Sequence, residues 1–306
     1  MTLALTSVTS SGIVLTADSR QTYRNNAGMT RIGTDNATKL FELNRNTGAV
    51  ISGRAFFQDK VNNFKDTGWF INEFKNSVLK DQQWSVKQIA EELNKYLTTE
   101  FLLPEETRIK DLLAAQVQLE GGTDFQSSRS GFTIDYSYKD QAGADAKKQW
   151  FIESISFTVA GYDTDGVGNA YLTTVPDGPW FDRSTVAGGV LWLGQTDVVL
   201  RITKGFSWEL SELDFVRVAK ANGVQVDQEL NKLEYIINWG ILPLQDAIDL
   251  CILLTRTTES IQRFSDGTVM HPGGITGVGG HINVASITPG RGFEWINKRD
   301  LVVSDR

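Results

Sequence analysis

The hydrophobic pattern begins at once. Leu3 and Leu5 alternate with Ala4 and Thr6, Ser10-Ser11-Gly12 reads as a turn, and Ile13 to Ala17 is a continuous apolar run. Leu40 to Leu43 and Ala49 to Ser52 add two more short runs, so residues 2–54 are expected to form four strands. The period then lengthens. Phe57, Val61, Phe64, Phe70, Phe74 and Val78 predict a helix over 55–80. Ser85 is a fitting N-cap for a second helix over 86–101, with Ile89, Leu93, Tyr96 and Leu97 on one face.

Pro104-Glu105-Glu106 is expected to break that helix, and Leu112 to Leu119 reads as a strand. Gly121-Gly122 leads to alternation at Phe132, Ile134, Tyr136 and Tyr138 and again at Trp150 and Ile152, a hairpin with a charged tip. Ile152 to Tyr162, Ala170 to Val175 and Ala187 to Leu193 follow as strands, and a helix opens near Val198. Asp163 and Asp165 belong to a turn, because an EF-hand's later ligands are missing. Helices are expected at Trp208 to Ala221, ending on Asn222-Gly223, at Gln225 to Trp239, and from Pro243 onward. Residues 271–280 are glycine-rich but match neither a phosphate loop nor a dinucleotide fingerprint.

Composition narrows the classes. With 306 residues the chain can bury a sizeable core, and no linker or repeat divides it, so one domain over 1–306 is expected. The net charge is −7 and no basic run exceeds a pair, which leaves nucleic-acid binding without electrostatic support. No apolar stretch is long enough to span a membrane, and no signal peptide is evident, so a cytoplasmic protein is expected. The single cysteine, Cys251, reads as a small core residue. Two histidines leave little for zinc or a Ser-His-Asp triad, so no metal and no cofactor are expected.

The candidate chemistry lies at the start. A threonine hydroxyl is a weak nucleophile until a base takes its proton, and an α-amine on the same residue is such a base. Thr2 gains that amine if Met1 is removed. The first hairpin brings Asp18 back beside Thr2. A buried carboxylate there needs a cation, and Lys39 and Arg20 are both near in sequence. A lysine ammonium close to the amine disfavours its protonation. Gly53, at the end of a strand, can present its N–H to a developing oxyanion.

These residues resemble the amino-terminal half of a proteasome β-type subunit, in the N-terminal-nucleophile hydrolase superfamily. The resemblance covers residues 2–57 and includes the intervals from Thr2 to Asp18 and from Lys39 to Gly53. It is similar to bacterial proteasome-like proteins that expose threonine by losing only the initiator Met. It implies an α/β (α+β) fold, a four-layer α/β/β/α sandwich of two mostly antiparallel sheets. It implies Thr2 as nucleophile and base, Asp18 and Lys39 as the activating pair, and Gly53 as the oxyanion donor, with Arg20 and Thr196 in supporting places. It also implies a threonine-type peptidase or amide hydrolase acting on a peptide or amide substrate, and a homo-oligomer, possibly a ring; a regulatory ATPase partner stays unknown. A specific amidase or transpeptidase, and an inactive scaffold subunit, are the alternatives. Relative to the family, Gln21 to Ala37 is longer, 104–150 reads as an insertion and 208–264 as an extended helical region. Where the family has a serine and, farther on, an Asp and a Ser, this chain has Gln195, Ile275 and Val278.

Overall fold

The computed structural model describes residues 2–24, 29–61, 63–176, 178, 181–184, 188–272 and 276–299. Met1, Gly273, Gly274 and Ile275 lie outside the described residues. The chain begins with strands β1 (Leu3–Val8), β2 (Ile13–Ala17), β3 (Gln21–Arg24), β4 (Thr30–Thr34), β5 (Leu40–Asn44) and β6 (Thr47–Gly53). A short hairpin, β7 (Phe56–Gln58) and β8 (Phe64–Asp66), precedes helices α1 (Thr67–Glu73), α2 (Val86–Leu97) and α3 (Leu103–Leu119). Strands β9 (Thr123–Ser130), β10 (Thr133–Lys139), β11 (Asp145–Phe151), β12 (Ile155–Tyr162), β13 (Gly168–Val175), β14 (Phe181–Ser184) and β15 (Gly189–Gly194) come next. Helices α4 (Asp197–Thr203), α5 (Asp214–Ala221), α6 (Val226–Leu230) and α7 (Leu244–Phe264) follow, and β16 (Asn283–Thr288) and β17 (Gly292–Asn297) complete the described fold. It is a mixed α+β protein whose pairings β1–β15, β1–β2, β2–β16, β16–β17, β3–β4, β5–β6, β7–β8, β9–β10 and β10–β11 are antiparallel.

Two units are separated by their internal contacts: Met1–Ser52 with Ala160–Ala170 and Arg183–Arg306, and Gly53–Val159 with Tyr171–Asp182. In the first, a five-stranded sheet runs in the order β15-β1-β2-β16-β17. Every residue of β1 and β2 is buried, as expected of central strands covered on both faces. Leu3, Leu5, Val14 and Val284 of this sheet share a core with Ala247, Ile248, Cys251 and Leu254 of α7. Leu15 and Phe293 press against Gly48 in the β5–β6 hairpin, where a Cβ would lie 2.6 Å from Leu15. Helix, sheet and hairpin are thus stacked in turn.

The second unit is built on aromatic contacts. Phe57 meets Phe70 edge-on at 5.6 Å and Phe101 at 4.1 Å. Helix α2 begins in a capping box between Ser85 and Gln88, and buries Val86, Ile89, Ala90, Leu93 and Leu97. Strands β9, β10 and β11 form a separate sheet in the order β11-β10-β9.

Several elements differ from the pattern reading. Residues 55–80 open on the β7–β8 hairpin, whose turn is tied by the Asp59 carboxylate accepting the Val61 and Asn63 N–H groups. The helix starts only at Thr67, where Asp66 caps the Trp69 N–H. Pro104 does not break the helix: Thr98–Leu102 carry α2 on as a π-helical turn, and α3 runs on from it with Pro104 as its second residue. The run read as a strand at Leu112–Leu119 is helical, and buried Ile109, Leu113 and Val117 recur every fourth residue. The stretch 225–239 holds a helix only to Leu230, because Leu233 and Ile236 find no core and stay exposed. Residues 208–221 split at Leu213, which is extended between a 3-10 turn and α5. The stretch Gln21 to Ala37 contains the unforeseen β3–β4 hairpin. No described helix is long and apolar enough to cross a membrane.

Candidate functional site

The β1–β2 hairpin sets the site. Ala4 pairs with Ala17, and the ladder carries on past the strands: the Asp18 N–H donates to the Leu3 carbonyl at 3.2 Å. The Leu3 N–H in turn donates to Asp18 Oδ1 at 3.0 Å. Asp18 therefore lies beside the peptide that joins Thr2 to Leu3. Thr2 is 3% exposed, and its carbonyl accepts the Gln195 N–H at 2.7 Å from the end of β15.

Lys39, just before β5, is the cation that Asp18 takes. Its Nζ donates to Asp18 Oδ1 at 2.9 Å and also to the Arg20 carbonyl. The second carboxylate oxygen accepts the Arg20 N–H and the Gly279 N–H, both at 3.1 Å. The Arg20 guanidinium goes instead to Asp35. Asp18 is fully buried and the Lys39 side chain nearly so. Burial pushes the Asp18 carboxyl up, while Lys39 and the N–H groups of Gly279 and Leu3 pull against it. Burial pushes Lys39 down, and Asp18 opposes that shift. Oδ1 takes both the Leu3 N–H and the Lys39 ammonium, so the ammonium lies within two hydrogen-bond lengths of the Leu3 nitrogen.

Thr196 is the N-cap residue of α4, and its hydroxyl makes no capping bond. Beside it, Gln195 Oε1 accepts from Gln262 Nε2 at 2.8 Å, and Gln262 Oε1 accepts the Val278 N–H at 2.9 Å. Val278 is a core residue. Gly53 belongs to the second unit. Its φ is +111° and a Cβ there would sit 2.1 Å from the Ser154 carbonyl oxygen, so the position admits glycine alone. The next residue, Arg54, donates its N–H to that same oxygen at 3.0 Å.

Asp35 and Ser19 are not singled out by the pattern, and Gly279 reads only as part of the Gly-Gly before a strand, without a site role. The sequence signal for Gly279 was the paired glycine before β16, which permits close backbone approach. Cys251 is buried in the α7 core, which pushes its thiol up to about 12. Among the described residues no cluster of His, Cys, Asp or Glu could hold a metal ion.

No family model matches the chain, and no curated protein matches it. Solved structures similar to it include a helical assembly of the Anbu complex from Pseudomonas aeruginosa, at 15% identity over 97% of this chain and 88% of that one, with a TM-score of 0.47. An Anbu (Gly-1) mutant from Hyphomicrobium sp. strain MC1 is 10% identical over 98% and 89%, TM-score 0.47. Anbu (ancestral beta-subunit) from Yersinia bercovieri is 11% identical over 97% and 87%, TM-score 0.46. Likeness at this level carries no functional argument. The findings correct the proteasome β-type assignment: no family model supports it, and these similar structures are Anbu proteins.

Proposed function

We propose that the chain is an amide hydrolase that uses Thr2 as its nucleophile once Met1 has been removed. One observation carries this reading: a buried Asp18–Lys39 pair bonded, through one carboxylate oxygen, to the peptide next to Thr2. The Thr2 amine takes the hydroxyl proton, Oγ1 attacks the substrate carbonyl, and the amine passes the proton to the leaving nitrogen. An ester on Thr2 results. Water, deprotonated by the same amine, then releases the acyl group. The Lys39 ammonium keeps the amine unprotonated. Thr196 and Arg20 hold supporting places. The substrate is a peptide or another amide, and the chemistry requires neither cofactor nor metal. A four-layer α/β/β/α sandwich belongs to the proposal; the helix, sheet and hairpin stacked in the first unit support it. So does a homo-oligomer, supported by exposed apolar side chains of the first unit, including Phe215, Ile236 and Phe264.

The test is the intact mass of the protein before and after a peptidyl epoxyketone, which needs both the hydroxyl and the free amine of one residue. The expected result is a chain lacking Met1 that gains one probe, with no gain in Thr2→Ala. A chain already free of Met1 that stays unlabelled overturns the hydrolase reading. Retention of Met1 in protein from its native source leaves an inactive scaffold instead.

A further inference from the structure

We infer that Asp35 is a positioning residue for the Thr2 site, acting through Arg20 on Lys39. The inference rests on the hydrolase reading and deepens it.

Asp35 grips the Arg20 guanidinium with both oxygens, Nε to Oδ1 at 2.7 Å and Nη2 to Oδ2 at 3.0 Å. Such a fork fixes orientation as well as distance. The backbone of Arg20 meanwhile touches both members of the buried pair. Its carbonyl accepts from Lys39 Nζ and its N–H donates to Asp18 Oδ2. The side chain is therefore the handle by which Asp35 holds the peptide groups that aim the ammonium.

A second set of ties makes the same point. The Asp35 carbonyl accepts the Ser19 hydroxyl at 2.6 Å, and Ser19 Oγ accepts the His281 N–H at 2.7 Å. The Ser19 N–H donates to the Gly279 carbonyl at 3.1 Å. Gly279 lies so close that a Cβ on it would be 2.5 Å from Arg20 Cζ. The guanidinium is thus held between Asp35 and the backbone that also donates to Asp18. Asp35 itself is not a core residue, with its side chain 40% exposed against 15% for Arg20.

The charges facing Lys39, Arg20 and Asp35 are Asp18, Glu259 from α7 and Arg299 beyond β17. Release of the fork loosens the Arg20 peptide, and the Lys39 ammonium drifts from its place. The Thr2 amine then keeps its proton to higher pH, so fewer molecules are reactive at a given pH.

The experiment measures epoxyketone labelling rate against probe concentration and pH, by intact mass, for the full chain and for Asp35→Asn and Asp35→Glu. For Asp35→Asn the limiting rate should fall roughly tenfold and the acid limb should move to higher pH, with the half-saturating probe concentration unchanged. Asp35→Glu should restore most of the rate and the original limb. The thermal midpoint of each variant separates positioning from folding. Asp35→Asn with wild-type rate and acid limb overturns the inference and leaves the hydrolase reading intact. Equal losses in both variants with lowered midpoints also overturn it, as a purely structural role. An unlabelled wild type that lacks Met1 overturns both.

Discussion

Asp18 is an acceptor that has run out of room: two donors reach each of its oxygens, and one of the four is an ammonium. Removing that ammonium leaves a buried carboxylate with its desolvation cost and no cation. Lys39→Ala should therefore destabilise the protein by about 3–5 kcal/mol, whereas replacing both partners with Asp18→Asn and Lys39→Met should cost much less. Urea unfolding of the two variants beside wild type measures this; equal losses in the single and the double variant would show that the pair is not the source. The double variant also tests chemistry, because it should stay folded and yet not label. Gly53→Ala is a second residue-scale case. With φ at +111° and Ser154 in the way, it should cost about 1–3 kcal/mol or more, read as a lowered unfolding midpoint. The sequence made Asp18 and Lys39 legible because Asp18 closes one apolar run and Lys39 leads into another. It left open which cation Asp18 takes, and Asp35 settles that by occupying Arg20. Asp35 and Gly279 stayed invisible as site residues because their partners are brought by tertiary contact, which no local period encodes.

At the scale of elements, legibility followed the strength of the local cap and the completeness of the buried stripe. Helix α2 has both, and its boundary at Ser85 was readable. Helix α3 departs from the pattern because a π-helical turn, Thr98–Leu102, carries the chain past Pro104 without a break, and nothing in the local sequence announces such a turn. The first turn of α3 also carries Glu105, which Arg54 and Arg108 both grip. Burial by itself would raise the Glu105 carboxyl; the bonds from Arg108 and Arg54 outweigh it and hold the group below its usual range. The unfolded chain then binds this proton at higher pH than the folded one, so stability rises with pH across the window. The contribution is fully present above the unfolded value of about 4.3 and is lost as pH falls through the lower folded value. Glu105→Gln should cost about 1.5–3 kcal/mol near neutrality and flatten the acid limb of the thermal midpoint. An acid limb as steep as wild type would assign that dependence to other carboxylates.

For the whole molecule, the sequence reached the α+β class and, through the resemblance alone, a homo-oligomer; it did not show which surface is left bare, because exposure is a property of the folded surface. Helix α7 shows the problem. Its buried side faces the sheet through Ala247, Ile248, Cys251 and Leu254, while Leu253, Ile261 and Phe264 lie 51% to 82% exposed on another side. Phe215 and Val218 are similarly bare on α5. A helix that is apolar on two sides is under-covered in a monomer, and such surface marks association. Sedimentation velocity at about 10 μM should therefore give species larger than the 34.0 kDa chain. Leu253→Glu with Phe264→Glu should shift the population to monomer while leaving the unfolding free energy within about 0.5 kcal/mol of wild type, as for surface changes. A wild-type protein that sediments as a monomer at this concentration would remove self-association from the proposal and leave the Thr2 chemistry untouched.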